Sequence, residues 1–245
     1  MNDHKLQEMS FMEHVIALKS SLTRSVVAVL ITSTICLYWS ADIFTFITSP
    51  LRENFTSFDI IGTGPAEAFI IKLQLSIIAG LLTSSPFCFY QLWRFISPGL
   101  YAKEKKLAIP FVLISSILFL GGVSFCFKMM FPYAFQYFYS EYEALGIHPS
   151  IKVDEYLNFT IRMLLVFGIV FETPVVCYFL AKFGLVNAPM LIKNGRYAIV
   201  AIFIIAAILT PPDVVSQLLL AAPLLVIYAL CIGICYFVNP KKKIS

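Results

Sequence analysis

An all-α integral membrane protein with six transmembrane helices is the fold this sequence predicts, on three observations. Of the 245 residues, 59% are hydrophobic and 13% charged, where a soluble domain carries about 25% charge, and the mean hydropathy is +0.84. The apolar residues form long runs of the length a bilayer span needs, about 20 residues. The charged residues gather in the gaps, and the cations favour every second gap. The net charge of +4 therefore matters through its distribution rather than its sum, and nothing in it supports nucleic-acid binding.

Residues 10–22 carry Phe11, Met12, Val15, Ile16, Leu18 and Leu22 at helical spacing, which predicts an N-terminal amphipathic helix lying on membrane lipid at the interface. Ser10 and Glu13 have capping-box spacing, so one reading of Glu13 is a side chain that reaches back to the helix start. Asp3, His4, Lys5 and Glu8 leave no apolar segment with a cleavage site, so neither a signal peptide nor an Arg-rich transit peptide is expected. The first span is predicted at 22–39, with Tyr38 and Trp39 as interfacial anchors. A polar segment from Asp42 to Glu67 leads to the second span, 68–90, and the third is predicted at 107–130. A second polar segment, 128–155, precedes the fourth span, 156–181. The last apolar stretch, 197–238, is broken only at Thr210-Pro211-Pro212-Asp213. It reads as two short spans, 197–210 and 214–238, that thin the bilayer or need protein neighbours. The whole chain, 1–245, is expected to be one membrane domain.

Six spans put both termini on one side. Most of the 18 basic residues lie on that side: Lys5, Lys19 and Arg24; Arg94, Lys103, Lys105 and Lys106; Lys182, Lys193 and Arg196; and Lys241, Lys242 and Lys243. The positive-inside rule makes those segments cytoplasmic. The opposite segments hold Arg52, Lys128 and Lys152, with Lys72 and Arg162 just inside spans, where snorkelling accounts for them.

An acid inside a span costs roughly 3 kcal/mol, so Glu172 needs a reason. It lies two residues before Pro174, whose ring and missing N–H kink a helix and free a carbonyl. Either Glu172 joins helices as a protonated, hydrogen-bonded group, or it forms a polar patch facing a substrate. Asp213 reads as a cap of the last helix, and Gln217, one turn on, as a polar helix contact. The segment from Tyr90 to Lys106 is the densest polar stretch, with Gln91, Phe95, Tyr101 and Lys105 around one acid, Glu104. That carboxylate either favours the helix dipole of span three, worth roughly 0.3 to 1 kcal/mol, or accepts a guanidinium in a charge-assisted, bidentate pair.

Catalytic chemistry finds little support. His4, His14 and His148 lie outside the spans, and no G-x-S-x-G, H-E-x-x-H or phosphate-cradling glycine loop occurs. The six cysteines fall in or beside apolar runs without zinc spacing, and they read as small buried hydrophobes. Cys231 and Cys235 share a helix face but lack His or acid neighbours for a metal. No enzyme activity, metal or cofactor is expected.

Several segments together carry a family resemblance. They are Pro50-Leu51, Pro65-Ala-Glu67-Ala-Phe69, Tyr90 through Tyr101 with Glu104-Lys105, Phe131-Pro132, Phe167 through Pro174, and Leu209 through Gln217. Along its whole length the chain resembles the TatC family, the multispanning receptor subunit of the twin-arginine protein translocase. The resemblance implies a concave six-helix bundle that binds twin-arginine signal peptides. With TatA/TatB-type single-span subunits, and as a homo-oligomer, it would move folded cargo using the proton-motive force. It implies a bacterial plasma membrane, or that of an organelle encoding its own copy. By position, Glu104, Phe95, Lys105, Gln91 and Tyr101 match the signal-binding segment. Glu172 and Gln217 match intramembrane polar positions facing partners, and Pro50, Glu67 and Asp213 match the outer loops.

Two departures stand out. Where the family has His-Leu-x-Glu-Leu-Arg, this chain reads His14-Val-Ile-Ala17-Leu-Lys19, so the acid expected beside Glu104 is missing. Glu13, one helical turn earlier on the same face, is the candidate replacement. The family's Tyr-Glu in the last span is Tyr228-Ala229. A six-span small-solute transporter would show inverted repeats and broken helices at the midplane, and no convincing repeat is found. A degenerate membrane scaffold is suggested only by Ala17 and Ala229.

Overall fold

The structure is a computed structural model in which residues 11–54, 59–96, 108–210 and 213–238 are described. In chain order the elements are α1 (Phe11–Tyr38), α2 (Ser40–Asn54), β1 (Asp59–Ile61), α3 (Glu67–Ile96), α4 (Ala108–Phe125), a π-helical turn (Cys126–Met130) and α5 (Phe131–Ala144). Then follow β2 (Ser150–Lys152), α6 (Val153–Phe171), α7 (Thr173–Lys182), α8 (Ala188–Leu209) and α9 (Val214–Val238). Six stretches among the described residues are long and apolar enough to cross a membrane: Val15–Tyr38, Glu67–Phe95, Ile109–Ala144, Val153–Lys182, Ala188–Leu209 and Val214–Val238.

Residues 11–22 of the amphipathic stretch and the first span lie on one unbroken helix, α1. No proline or glycine interrupts residues 11–38, so nothing in the backbone separates an interfacial helix from a spanning one. Tyr38 and Trp39, edge to face with ring centroids 5.6 Å apart, mark its end. The third spanning stretch is 36 residues long, about 54 Å at a rise of about 1.5 Å per residue. That exceeds a hydrocarbon core of about 30 Å, so the Tyr-rich, Glu141- and Glu143-bearing end of α5 extends past the bilayer. The π-helical turn inside it ends at Phe131, whose N–H bonds back to the Cys126 carbonyl. Pro132 follows, and its missing N–H perturbs the regular helical ladder there.

The fourth span is interrupted at Glu172. The Glu172 N–H bonds to the Ile169 carbonyl at 3.0 Å, three residues back, and the Glu172 carbonyl takes Val175 and Val176 N–H at 3.0 and 3.1 Å. Pro174 forces this change of pattern, as a helix-interior proline must. The fifth span starts well before residue 197, at Ala188, because Asn187 caps it: the Asn187 side chain accepts the Met190 N–H at 2.9 Å. Lys193 and Arg196 thus lie on the early turns of α8 rather than in a link, and α8 has 22 residues, a full span rather than a short one. β1 and β2 pair in parallel, Asp59 opposite Ser150 and Ile61 opposite Lys152, a contact between the segments before α3 and before α6 that the all-helical reading did not include.

The chain divides into two compact units, one formed by Met1–Ala41 and Leu73–Ser116, the other by Asp42–Lys72 and Ile117–Ser245. In the first, α1 crosses α3 where Gly80 meets Ser33. A Cβ at Gly80 would lie 2.3 Å from Ser33 Oγ and 2.5 Å from Ser33 N, so only glycine permits the approach. Thr32 Oγ1 donates to the Gly80 carbonyl at 2.9 Å across the same crossing. Nearby on α3 and α4, Trp93 stacks on Phe111 at 5.3 Å. The second unit is built on rings: Phe125 with Phe167 and Phe171, and Phe131 with Phe135 and Phe159. Tyr156 adds a hydroxyl bond to the Ile47 carbonyl at 2.6 Å, joining α6 to α2. α9 packs on both α7 and α8.

Candidate functional site

In the first unit, α3 carries Gln91 and Phe95 through its last two turns, and Arg94 beside them suits the negative end of the helix dipole. Gln91 is 3% exposed, and its buried Oε1 has no hydrogen-bond partner among the described residues. Phe95 is half-buried. Glu13 lies in the first turn of α1 and Ala17 in the next. Because α1 is unbroken there, the two positions share a face at one-turn spacing. The Glu13 side chain, and Tyr101, Glu104 and Lys105 altogether, lie outside the described residues.

The second unit holds the outer-loop and intramembrane candidates, and it divides them by what their polar atoms do. Glu67 begins α3. One carboxylate oxygen accepts the Thr63 N–H, the Gly64 N–H at 2.9 Å and the Thr63 hydroxyl at 3.3 Å. An anion at a helix start is doubly favoured, by the unpaired N–H groups and by the dipole. Glu67 and Asp154 border an open cleft of about 380 Å³ lined also by residues 63–66, Ile70 and Ile71. Asp213 does for α9 what Glu67 does for α3: its Oδ1 accepts the Ser216 N–H at 2.7 Å. Gln217 Nε2 donates to the Phe203 carbonyl at 3.0 Å, tying α9 to α8. Pro50 is buried within α2 rather than in a loop, beside fully buried Leu51.

Glu172 differs from both capping acids. It stands at the C-terminal end of α6 and precedes α7, and its side chain makes no capping bond to α7. At this junction the C-terminal dipole of α6 opposes the N-terminal dipole of α7, and no α7 N–H bonds to the side chain, so helix capping does not explain this acid. Among the described residues no cluster of three His, Cys, Asp or Glu side chains is arranged to hold a metal.

Four features had no place in the sequence reading. Gly80 marks the α1–α3 crossing, and a glycine midway along a membrane span was a usable signal for it. Tyr156 and Asn187 act through backbone groups that only the fold brings near. Cys177 meets Cys235 across α7 and α9, their sulfurs 3.5 Å apart.

Comparison with known proteins places this architecture. Residues 13–223 match the family described as Sec-independent protein translocase protein (TatC). Relatives of that name from Desulforapulum autotrophicum and Aquifex aeolicus are 41% and 35% identical, over 96% of this chain in both cases and 87% and 98% of theirs. A relative from Helicobacter pylori (strain J99) is 40% identical over 94% of this chain and 90% of its own. A crystal structure of a twin arginine translocase receptor, TatC, aligns with a TM-score of 0.84 at 34% identity, covering 93% of this chain and 100% of that one. With six apolar spans and this kinship from end to end, the chain is a multi-pass membrane protein that belongs to the TatC family of protein translocase components.

Proposed function

We propose that this chain is the receptor subunit of a twin-arginine translocase. It binds the signal peptide of folded cargo at its cytoplasmic side and, with single-span TatA/TatB-type subunits, passes the cargo across a bacterial plasma membrane using the proton-motive force. The observation that carries this reading is the match along residues 13–223, which includes the Tyr90 to Lys106 segment. On this reading both termini are cytoplasmic, the working form contains several copies, and the chain acts by binding rather than by bond chemistry.

The chemistry of recognition follows from the residue types. A pair of guanidinium groups demands a carboxylate, and Glu104 is the single acid of the Tyr90 to Lys106 segment. A charge-assisted pair is worth about 1.5 to 3 kcal/mol, so it supplies about ten- to hundredfold in affinity. Phe95, Gln91, Tyr101 and Lys105 flank it, and Glu13 replaces the acid lost at Ala17. Glu172 and Gln217 face partner helices, while Pro50, Glu67 and Asp213 hold the outer segments. The test is signal-peptide binding and export of a twin-arginine reporter in cells whose own TatC is deleted. Glu104→Ala should lower binding at least tenfold and stop export, and Glu13→Ala should weaken binding by less. Unaltered binding and export in Glu104→Ala would refute the site; failure of the unmodified chain to support export would refute the function.

A further inference from the structure

We propose that Cys177 and Cys235 are a modification site: a thiol pair that a membrane-borne quinone oxidises to a disulfide, fastening α7 to α9 beyond the break at Glu172. The two sulfurs lie 3.5 Å apart, between residues 58 positions distant in sequence. They are in contact and need close by only about 1.5 Å to reach the bond length of about 2.05 Å. Cys177 is 7% exposed and Cys235 is 0% exposed, within a cluster of Ala181, Ala188, Ile227 and Cys231. Both thiols lie in spanning stretches, Val153–Lys182 and Val214–Val238, so when α7 and α9 part enough to uncover the pair, the oxidant that meets it is one dissolved in lipid.

The position gives the bond a consequence. Cys177 lies one turn after Pro174 on the ten-residue α7, and Cys235 lies in the last turn of α9. The helical ladder breaks at Glu172, so α7 is joined to α6 through an interrupted segment. A bond from α7 to α9 would fix its angle to α6 and hold the surroundings of Glu172 in one geometry. Cys231 stands one turn before Cys235, and its backbone carbonyl lies 3.8 Å from the Cys177 sulfur. The Cys177 thiol is therefore held between that carbonyl and the Cys235 sulfur.

The step balances simply. The two thiols lose two protons and two electrons and form one S–S bond, and the quinone gains both pairs to become a quinol. A fully ring-substituted benzoquinone is the probe, because it has no open ring carbon for a thiol to add to. The full-length protein in lipid vesicles is incubated with it, then denatured, and its free thiols are counted. The expected result is loss of two of the six thiols, a Cys177–Cys235 linked peptide, reversal by dithiothreitol and a thermal midpoint raised by about 3 °C or more. Cys231→Ala should keep the response and Cys235→Ala should lose it. Six thiols remaining after treatment, or equal thiol loss in Cys235→Ala, would overturn the proposal. These readouts need no cargo, so they stand apart from the signal-peptide test.

Discussion

The two compact units are cohesive for different reasons. In the first, α1 and α3 touch backbone to backbone: Gly80 lies against Ser33 N and Cα, and Thr32 bonds the Gly80 carbonyl. In the second, rings fill most of the contacts, with Phe125 5.9 Å from Phe167 and 5.6 Å from Phe171, although there too a glycine meets backbone, a Cβ at Gly122 falling 2.6 Å from the Phe167 carbonyl oxygen. Lipid tails are as apolar as leucine, so burial alone does not bring spanning helices together. Fit must do it, and each unit finds fit differently. A ring can tilt when its neighbour grows, but a backbone has no rotamer to change.

That contrast ranks the substitutions. Gly80→Ala should cost most, because its methyl would stand 2.5 Å from Ser33 N and 2.7 Å from Ser33 Cα, and helix separation is the only relief. Overpacking of this kind costs about 1 to 3 kcal/mol, read as a lower thermal midpoint in detergent. Gly168→Ala meets the Phe119 ring at 2.6 Å, a similar distance but a movable obstacle. Its loss should be less than half that of Gly80→Ala. Equal losses would show that the rings of the second unit are held as firmly as backbone, and the contrast would fail.

Within the second unit the acids sharpen the comparison further. Asp213→Ala removes the bond to Ser216 N–H and should cost about 1 kcal/mol, while Asp213→Asn keeps an acceptor and should be nearly neutral. Glu172→Gln keeps the side chain's length and a hydrogen-bonding end and removes no bond to an α7 N–H, so its thermal midpoint should fall less than that of Asp213→Ala. Its effect should appear instead in reporter export. If export is intact while stability falls, Glu172 is helix glue, the first of the two roles its sequence position allowed.

Much of the fold was legible because spans are set by length and hydropathy, which are local. The start of α8 was not, since Asn187 resembles a loop residue until its side chain is seen on the Met190 N–H, and Lys193 and Arg196 look like link cations. The β1–β2 pair was hidden for another reason: three-residue strands, Asp59–Ile61 and Ser150–Lys152, carry too little alternation to register. At the candidate site residue type was readable and role was not. Glu67, Glu172 and Asp213 are alike as letters, and only the positions of backbone N–H groups divide them into two caps and one acid without that duty. The thiol contact of Cys177 with Cys235 was invisible because nothing local links positions 58 apart.

The smallest expected effect tests what the first unit relies on. Thr32 Oγ1 donates to the Gly80 carbonyl at 2.9 Å, but it is also within reach of its own helix, 2.9 Å from the Ala28 carbonyl and 3.0 Å from that of Val29. A single hydroxyl proton cannot serve all three fully. Thr32→Val keeps the branched shape and removes the proton, and interhelical bonds of this class average about 0.6 kcal/mol. The Gly80 carbonyl retains its place in the α3 ladder, so no buried acceptor is orphaned by the change. A loss near or below that value, beside a large loss for Gly80→Ala, would mean that α1 and α3 are joined by the absence of a side chain at Gly80. A loss as large as that of Gly80→Ala would mean the bond itself holds the crossing, and the first unit would be polar-bonded rather than close-packed.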